Sequence, residues 1–274
     1  MRMQLTIHAE KLPKVSTFRY GNPYAVVTIT AGDRRGEELG RTEVLECTLN
    51  PDWVTTIFVD TEAAIFMPFL ITIFDSNEKC DKPKFMAEAN FEMTEIFESK
   101  GKIQVQEVDG GASIFAHVDK SQQGESEGTF IFHFRGLDIK NVEAGVLGLG
   151  RSDPFFEIAK KNTDYAAGIV RWKPVYRSET IHDNLNPFWK EGSVSLEQLC
   201  YNDLDWPLRI SIWDWQKKGK HREIGELETN IAELKTHLAL KGNADRENAI
   251  EMTKIGGTKT NGLMVILKCT VQLD

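Results

Sequence analysis

The chain is poor in cysteine. Its four residues, Cys47, Cys80, Cys200 and Cys269, form no CxxC pair and no dense framework, so no disulfide staple is encoded and the composition reads as that of a reducing, cytoplasmic chain. Long hydrophobic runs are also missing. None approaches the roughly 18 apolar residues of a membrane span, and MRMQLTIHAEKLPK at the start moves into alternating strand-like residues without a signal-peptide core. A membrane, if this chain meets one, is met from the side. Positive charge is not in excess: the net charge of −8 argues against nucleic acid as a partner, because that binding leans on a basic surface field. Catalytic signatures are absent as well. His8, His117, His133, His182, His221 and His237 are scattered, no Ser or Cys lies in a nucleophile motif, and no HExxH or phosphate loop occurs, so no enzyme is expected. The glycines of GVLGLG at 145–150 precede a strand-like run instead of following one, which reads as a glycine-rich loop and not a dinucleotide fingerprint.

What the chain does contain, it contains twice. RTEVLECTLNPDW at 41–53 returns as RSETIHDNLNPFW at 177–189, with Arg, Glu, Leu, Asn, Pro and Trp kept in place. GNPYAVVTI at 21–29 answers SDPFFEIAK at 152–160, and PFLITIFDS at 68–76 answers PLRISIWDW at 207–215. Three blocks in the same order mean two copies of one domain, each large enough for its own core.

Short runs rich in Val, Ile, Phe and Thr alternate with Gly, Asn, Asp and Pro clusters, the pattern of an all-β chain. QLTIHAE, YAVVTIT, FLITIFD and SIFAHVD read as strands of the first half, and TFIFHFR, FFEIAKK, LRISIWD and LMVILKCTVQL as strands of the second. Helical patterning is confined to TEIFES at 94–99 and IAELKTHLAL at 231–240. Residues 119–127, DKSQQGESE, carry no large apolar side chain and read as a flexible linker between a first domain at 1–118 and a second at 128–274.

With these blocks in hand, each half resembles a C2 domain. The resemblance rests on SDPFF at 152–156, the two LNPxW corners, IWDW at 212–215 and IGE at 224–226. ELGRTEV at 38–44, LEQLCYNDLDWPLRISIWDW at 196–215 and HREIGEL at 221–227 are similar, more particularly, to the tandem modules of copines. Copines continue into a von Willebrand factor A-like domain that does not follow Asp274, so the expectation is either a two-module relative or a fragment. The resemblance implies two eight-stranded antiparallel β-sandwiches in tandem, a peripheral membrane adaptor, and loops at one end that hold calcium between carboxylates against anionic phospholipid.

The family pattern implies five acidic metal positions per module. In the first they fall on Ser16, Asn22, Asp75, Asn77 and Lys84, with Asp81 nearby between Lys82 and Lys84. One matched carboxylate beside ammonium groups implies no calcium there, since calcium takes six to eight oxygens. In the second module Asp153 and Asp214 match, Gln216 and Arg222 replace acids, and the early position falls near Leu147 with Glu143 the nearest carboxylate. Calcium is therefore expected to be weak or absent there, and Arg222 with Lys220 is expected to take its place electrostatically.

If no ion bridges protein to phosphate, the chain's own cations must. Lys217, Lys218, Lys220 and Arg222 lie in the third loop of the second module, and Lys173 and Arg177 alternate along a strand, pointing together with Val175. Trp215 is a candidate interfacial anchor, while Trp213, Trp53 and Trp189 are expected in the cores. Phe18, Tyr20 and Phe85 are weaker loop-tip candidates in the first module. The function expected is a phospholipid-binding adaptor at the cytosolic face of the plasma membrane. The alternatives are a calcium-independent protein-interaction scaffold with protein partners, and calcium-dependent phospholipid binding through the second module.

Overall fold

The computed structural model describes residues 2–15, 20–60, 66–76, 83–121, 127–143, 150–164, 169–217, 219–239, 246–254 and 256–273. The chain forms two compact units, one built on Met1–Ser121 and the other on most of the remainder. The first contains β1 (Arg2–Glu10), β2 (Pro23–Ile29), β3 (Glu38–Arg41), β4 (Ile57–Asp60), β5 (Pro68–Asp75), β6 (Lys84–Glu92), the short helix α1 (Met93–Glu98), β7 (Ile103–Val108) and β8 (Ala112–Lys120). Two four-stranded sheets, ordered β4-β1-β8-β7 and β3-β2-β5-β6, enclose its core. Alternation fixes which residues enter it: along β5 Phe69, Ile71 and Ile73 are fully buried, and on the opposite sheet Leu5, Ile7, Ile114 and Ala116 meet them.

The second unit runs β9 (Gly128–Leu137), β10 (Pro154–Asp164), β11 (Ile169–Arg177), β12 (Gly192–Ser195), α2 (Leu196–Cys200), β13 (Leu208–Asp214), β14 (Arg222–Thr229), α3 (Ile231–Thr236), β15 (Ile250–Thr253) and β16 (Thr260–Leu273). Its eight strands follow the order β11-β10-β13-β14-β15-β16-β9-β12, with β14 and β15 joined at the pair Glu226 and Thr253. Phe130, Phe132 and Phe134 of β9 pack against Phe156 of β10, with Phe132 to Phe156 ring centroids 6.3 Å apart, and Trp189 closes edge-on to Phe156 at 4.9 Å. Rows from both halves of the strand order therefore share one core, and the architecture is all-β with short helical decorations.

Local chemistry explains where the helices begin and stop. Ser195 Oγ accepts the Gln198 N–H and Asn230 Oδ1 accepts the Glu233 N–H, each supplying an N-cap. The pattern at 231–240 is longer than the helix it yields, because α3 ends at Thr236 and Leu238 instead bridges to Ile266. Cys200 and Cys269 are free, buried thiols, pushed up to about 12 and about 11 by desolvation.

The repeat extends into individual hydrogen bonds. Asn50 Oδ1 accepts the Lys11 N–H at 2.8 Å, and Asn186 Oδ1 accepts the Asp138 N–H at 2.9 Å. Trp53 donates its indole N–H to the Pro23 carbonyl at 3.2 Å, as Trp189 does to that of Pro154 at 3.3 Å. Lys11 and Asp138 share a left-handed backbone, with φ of 54° and 48°, and so do Cys47 and Asp183, with φ of 50° and 52°. The LNPxW block thus encodes a corner: the asparagine ties the end of the first strand, and the tryptophan plugs the core beneath it.

Candidate functional site

The candidate site is the loop end of the second unit, where β9 leads to β10 and β13 leads to β14. The two-residue period of β13 places Leu208, Ile210 and Ile212 on the core face, and Asp214 ends that row with no exposed surface. A carboxylate so buried needs donors. Its Oδ1 accepts the Asp153 N–H at 2.8 Å and its Oδ2 accepts the Gln216 side-chain N–H at 2.6 Å. Asp153 is engaged in the same way: Oδ1 accepts the Asp183 N–H at 2.7 Å, and Oδ2 lies 3.1 Å from His182 Nδ1. The left-handed turn at Asp183 is what aims that N–H inward.

Gln216 is oriented from both ends. Its backbone N–H donates to His221 Nδ1 at 3.0 Å, and its amide nitrogen also reaches Glu143 at 3.4 Å. Burial holds the His221 imidazole down at about 4, with the Arg177 charge adding to the effect, so the ring is a neutral acceptor at pH 7. The first loop is tied at its stems. Asn141 donates to the Gly150 carbonyl at 2.7 Å and accepts the Ser152 hydroxyl at 3.2 Å, while Val142 N–H donates to Ser152 Oγ at 3.0 Å. Arg222 then donates from Nη1 to the Val142 carbonyl at 2.9 Å.

The first unit builds the same frame with fewer acids. Asp75 ends the β5 core row at 1% exposure, and its Oδ1 accepts the Asn22 N–H at 2.7 Å. Asn22 stands where Asp153 stands in the other unit and accepts the Cys47 N–H at 3.0 Å. Lys84 donates to the Val15 carbonyl at 2.8 Å. Ser16, Phe18, Asn77, Asp81 and Lys82 lie outside the described residues, as do Leu147 and Lys218.

Calcium fits this donor set poorly. Six to eight oxygens must converge on it. Among the described residues no group of three or more His, Cys, Asp or Glu side chains is placed to hold one ion. In the second unit the paired aspartates already receive three N–H donors, and Gln216 presents its NH2 group, not its oxygen, to Asp214 and Glu143.

The basic candidates separate by environment. Lys217 and Lys220 are exposed at the loop. Arg177 is half-buried and paired with Glu157 at 2.5 Å. Val175 is a core residue at 3% exposure and Lys173 is half-buried, so these three do not form one open basic face. Lys160 is buried with its ammonium 3.9 Å from the Tyr201 ring centroid. Trp215 is half-buried, 6.0 Å edge-on to His182, and its backbone N–H donates to the Asp153 carbonyl at 2.8 Å. Trp213 departs from expectation: it lies between Ile212 and Asp214 of the core-facing row, so the two-residue period turns its ring to the other face, half-buried and outside the core that holds Trp189. Phe85 is exposed and Tyr20 half-buried, with Lys14 over its ring at 5.3 Å.

Sequence reasoning misses His182, Asp183, His221 and the Asn141–Ser152 clasp. The signal for two of them is present, since His182 and Asp183 lie inside the repeated block.

A C2 domain family model matches residues 3–108 and 131–245. Among solved structures, the chain is similar to BON1-C2B at 21% identity over 54% of this chain and 94% of that one, with a TM-score of 0.42. It is similar to the calcium-bound pair of C2 domains of Extended-Synaptotagmin 2 at 12% identity over 100% and 97%, TM-score 0.35. A C2 domain of plant Extended Synaptotagmin 1 gives 21% over 55% and 100%, TM-score 0.36. With two matched modules spanning most of its length, the chain belongs to the C2 domain family as a tandem pair.

Proposed function

We propose that this tandem C2 protein is a non-enzymatic, copine-like adaptor that binds anionic phospholipid without needing calcium, at the cytosolic face of the plasma membrane. The observation that carries the reading is the contrast at one loop end. The Asp153 and Asp214 carboxylates are engaged by protein N–H donors, while Lys217 and Lys220, which follow Asp214 in the chain, are exposed. Charge that is not used inside the fold is available to phosphate, and each basic residue near an anionic leaflet contributes about 1 kcal/mol. Trp215 adds an amphipathic ring at the same rim. Binding of this kind depends on anionic lipid, weakens steeply with salt and is indifferent to chelator.

Cosedimentation with phosphatidylserine vesicles, with calcium and with chelator at two salt concentrations, tests it. Equal binding in calcium and chelator, reduced by salt, supports the reading. Binding only with calcium refutes it, and absence of vesicle binding together with retention of a protein partner favours the scaffold alternative.

A further inference from the structure

The first loop of each module is held by a basic side chain from the far end of the third. At the head of β6, Lys84 Nζ donates to the Val15 carbonyl at 2.8 Å, and at the head of β14, Arg222 Nη1 donates to the Val142 carbonyl at 2.9 Å. The two positions are equivalent by register: Lys84 is the cross-strand partner of Asp75, and Arg222 is that of Asp214. The strands that carry them share a bulge, at Met86 and Ile224, but at the position itself one side chain is an ammonium and the other a guanidinium. What the modules share is a positive group at this position and a first-loop carbonyl as its acceptor. Two chemically different residues meeting one geometric requirement mark the requirement, not the residue, as the common feature.

A hard divalent ion between these loops would gather the same kind of oxygen, backbone carbonyls of one loop beside carboxylates of the other. We propose that each module carries its cation within the chain: Lys84 and Arg222 fasten the stem of the first loop, at Val15 and Val142, to the third-loop exit, so that the order of these stems is independent of free metal. In the second module this assigns Arg222 to the stem of the first loop and leaves Lys217 and Lys220 as exposed cations. Arg222 is exposed at its edge, yet its Nη1 is directed at Val142. A charge-assisted bond to a carbonyl is stronger than a neutral one, so Arg222 adds to the Asn141–Ser152 clasp at the same stem.

Amide hydrogen exchange on the full chain in chelator tests this without lipid, so its failure is separate from failure of vesicle binding. Lys84→Met should raise exchange several-fold at 11–15 alone, and Arg222→Met should do so at 139–143 alone. Arg222→Lys, which keeps a cationic donor, should stay near the wild-type rate. Wild-type exchange at both loops should not change with millimolar calcium. Unchanged exchange in the two Met variants overturns the proposal, as does slowing of wild-type exchange at 139–143 by calcium. Because each module holds its own copy, a variant that fails to fold in one leaves the other to decide.

Discussion

Asp214 accepts the backbone N–H of Asp153 at 2.8 Å, and this bond joins the third loop of the second module to its first. Asp75 and Asn22 repeat it at 2.7 Å in the first module. In both, the aspartate ends a core-facing row and is almost fully desolvated. The bond is therefore a structural requirement before it is anything else.

Removing the acceptor should show that. Asp214→Ala leaves the Asp153 and Gln216 donors without their partner, and about 2–3 kcal/mol of stability should be lost. Asp214→Asn keeps one acceptor oxygen and should lose less, about 1 kcal/mol. Urea unfolding of the full chain measures both; equal and negligible shifts would mean that water replaces the carboxylate.

Calcium should stabilise the protein little. With a dissociation constant at or above millimolar, linkage gives at most about 0.4 kcal/mol at millimolar calcium, a melting shift of about 1–2 °C for domains of this size. A shift of many degrees in thermal unfolding, abolished by Asp75→Asn, would show a site completed by residues such as Asp81 or by backbone oxygens.

The fold is legible in the sequence because its signals are periodic and repeated. Alternation along FLITIFD and LRISIWD fixes the core face, and the second LNPxW corner repeats the first. Strands β7 and β14 are harder to read, since IQVQEV and REIGELET carry charge or amide groups that weaken the apolar alternation. The site is less completely legible. Its aspartates follow from register, but their partners are backbone N–H groups and a histidine ring, and which N–H turns inward depends on a left-handed residue such as Asp183 that no side-chain pattern marks. Trp213 escapes the core assignment because the core-facing row of β13 ends on the carboxylate of Asp214, which an apolar alternation does not mark.

Arg177 should matter for stability and not for lipid. It is paired with Glu157, with side-chain exposures of 25% and 17%. Arg177→Ala should cost about 1 kcal/mol in urea unfolding while vesicle affinity stays within about twofold. A large loss of affinity at unchanged stability would return the strand face to the binding surface.

His221 sets a pH dependence. Its folded value of about 4 lies below the ordinary 6.5, because burial disfavours the imidazolium and Arg177 repels it. The unfolded chain therefore takes up its proton first as pH falls. The stability contribution is full above pH 6.5 and is lost as pH drops toward 4, where the folded ring protonates in turn and the Gln216 N–H loses its acceptor. Unfolding measured across that window should show the decline, and His221→Gln should flatten it; an unaltered slope would assign the effect to other groups.

The most direct test is vesicle binding in chelator by the chain carrying Lys217→Ala, Lys218→Ala and Lys220→Ala. Three cations at about 1 kcal/mol each predict roughly 100-fold weaker binding to phosphatidylserine vesicles than wild type. Asp153→Asn combined with Asp214→Asn should leave affinity nearly unchanged under the same conditions. Wild-type affinity in the triple alanine variant, or loss of binding in the asparagine pair that calcium restores in wild type, would contradict a basic loop acting without an ion.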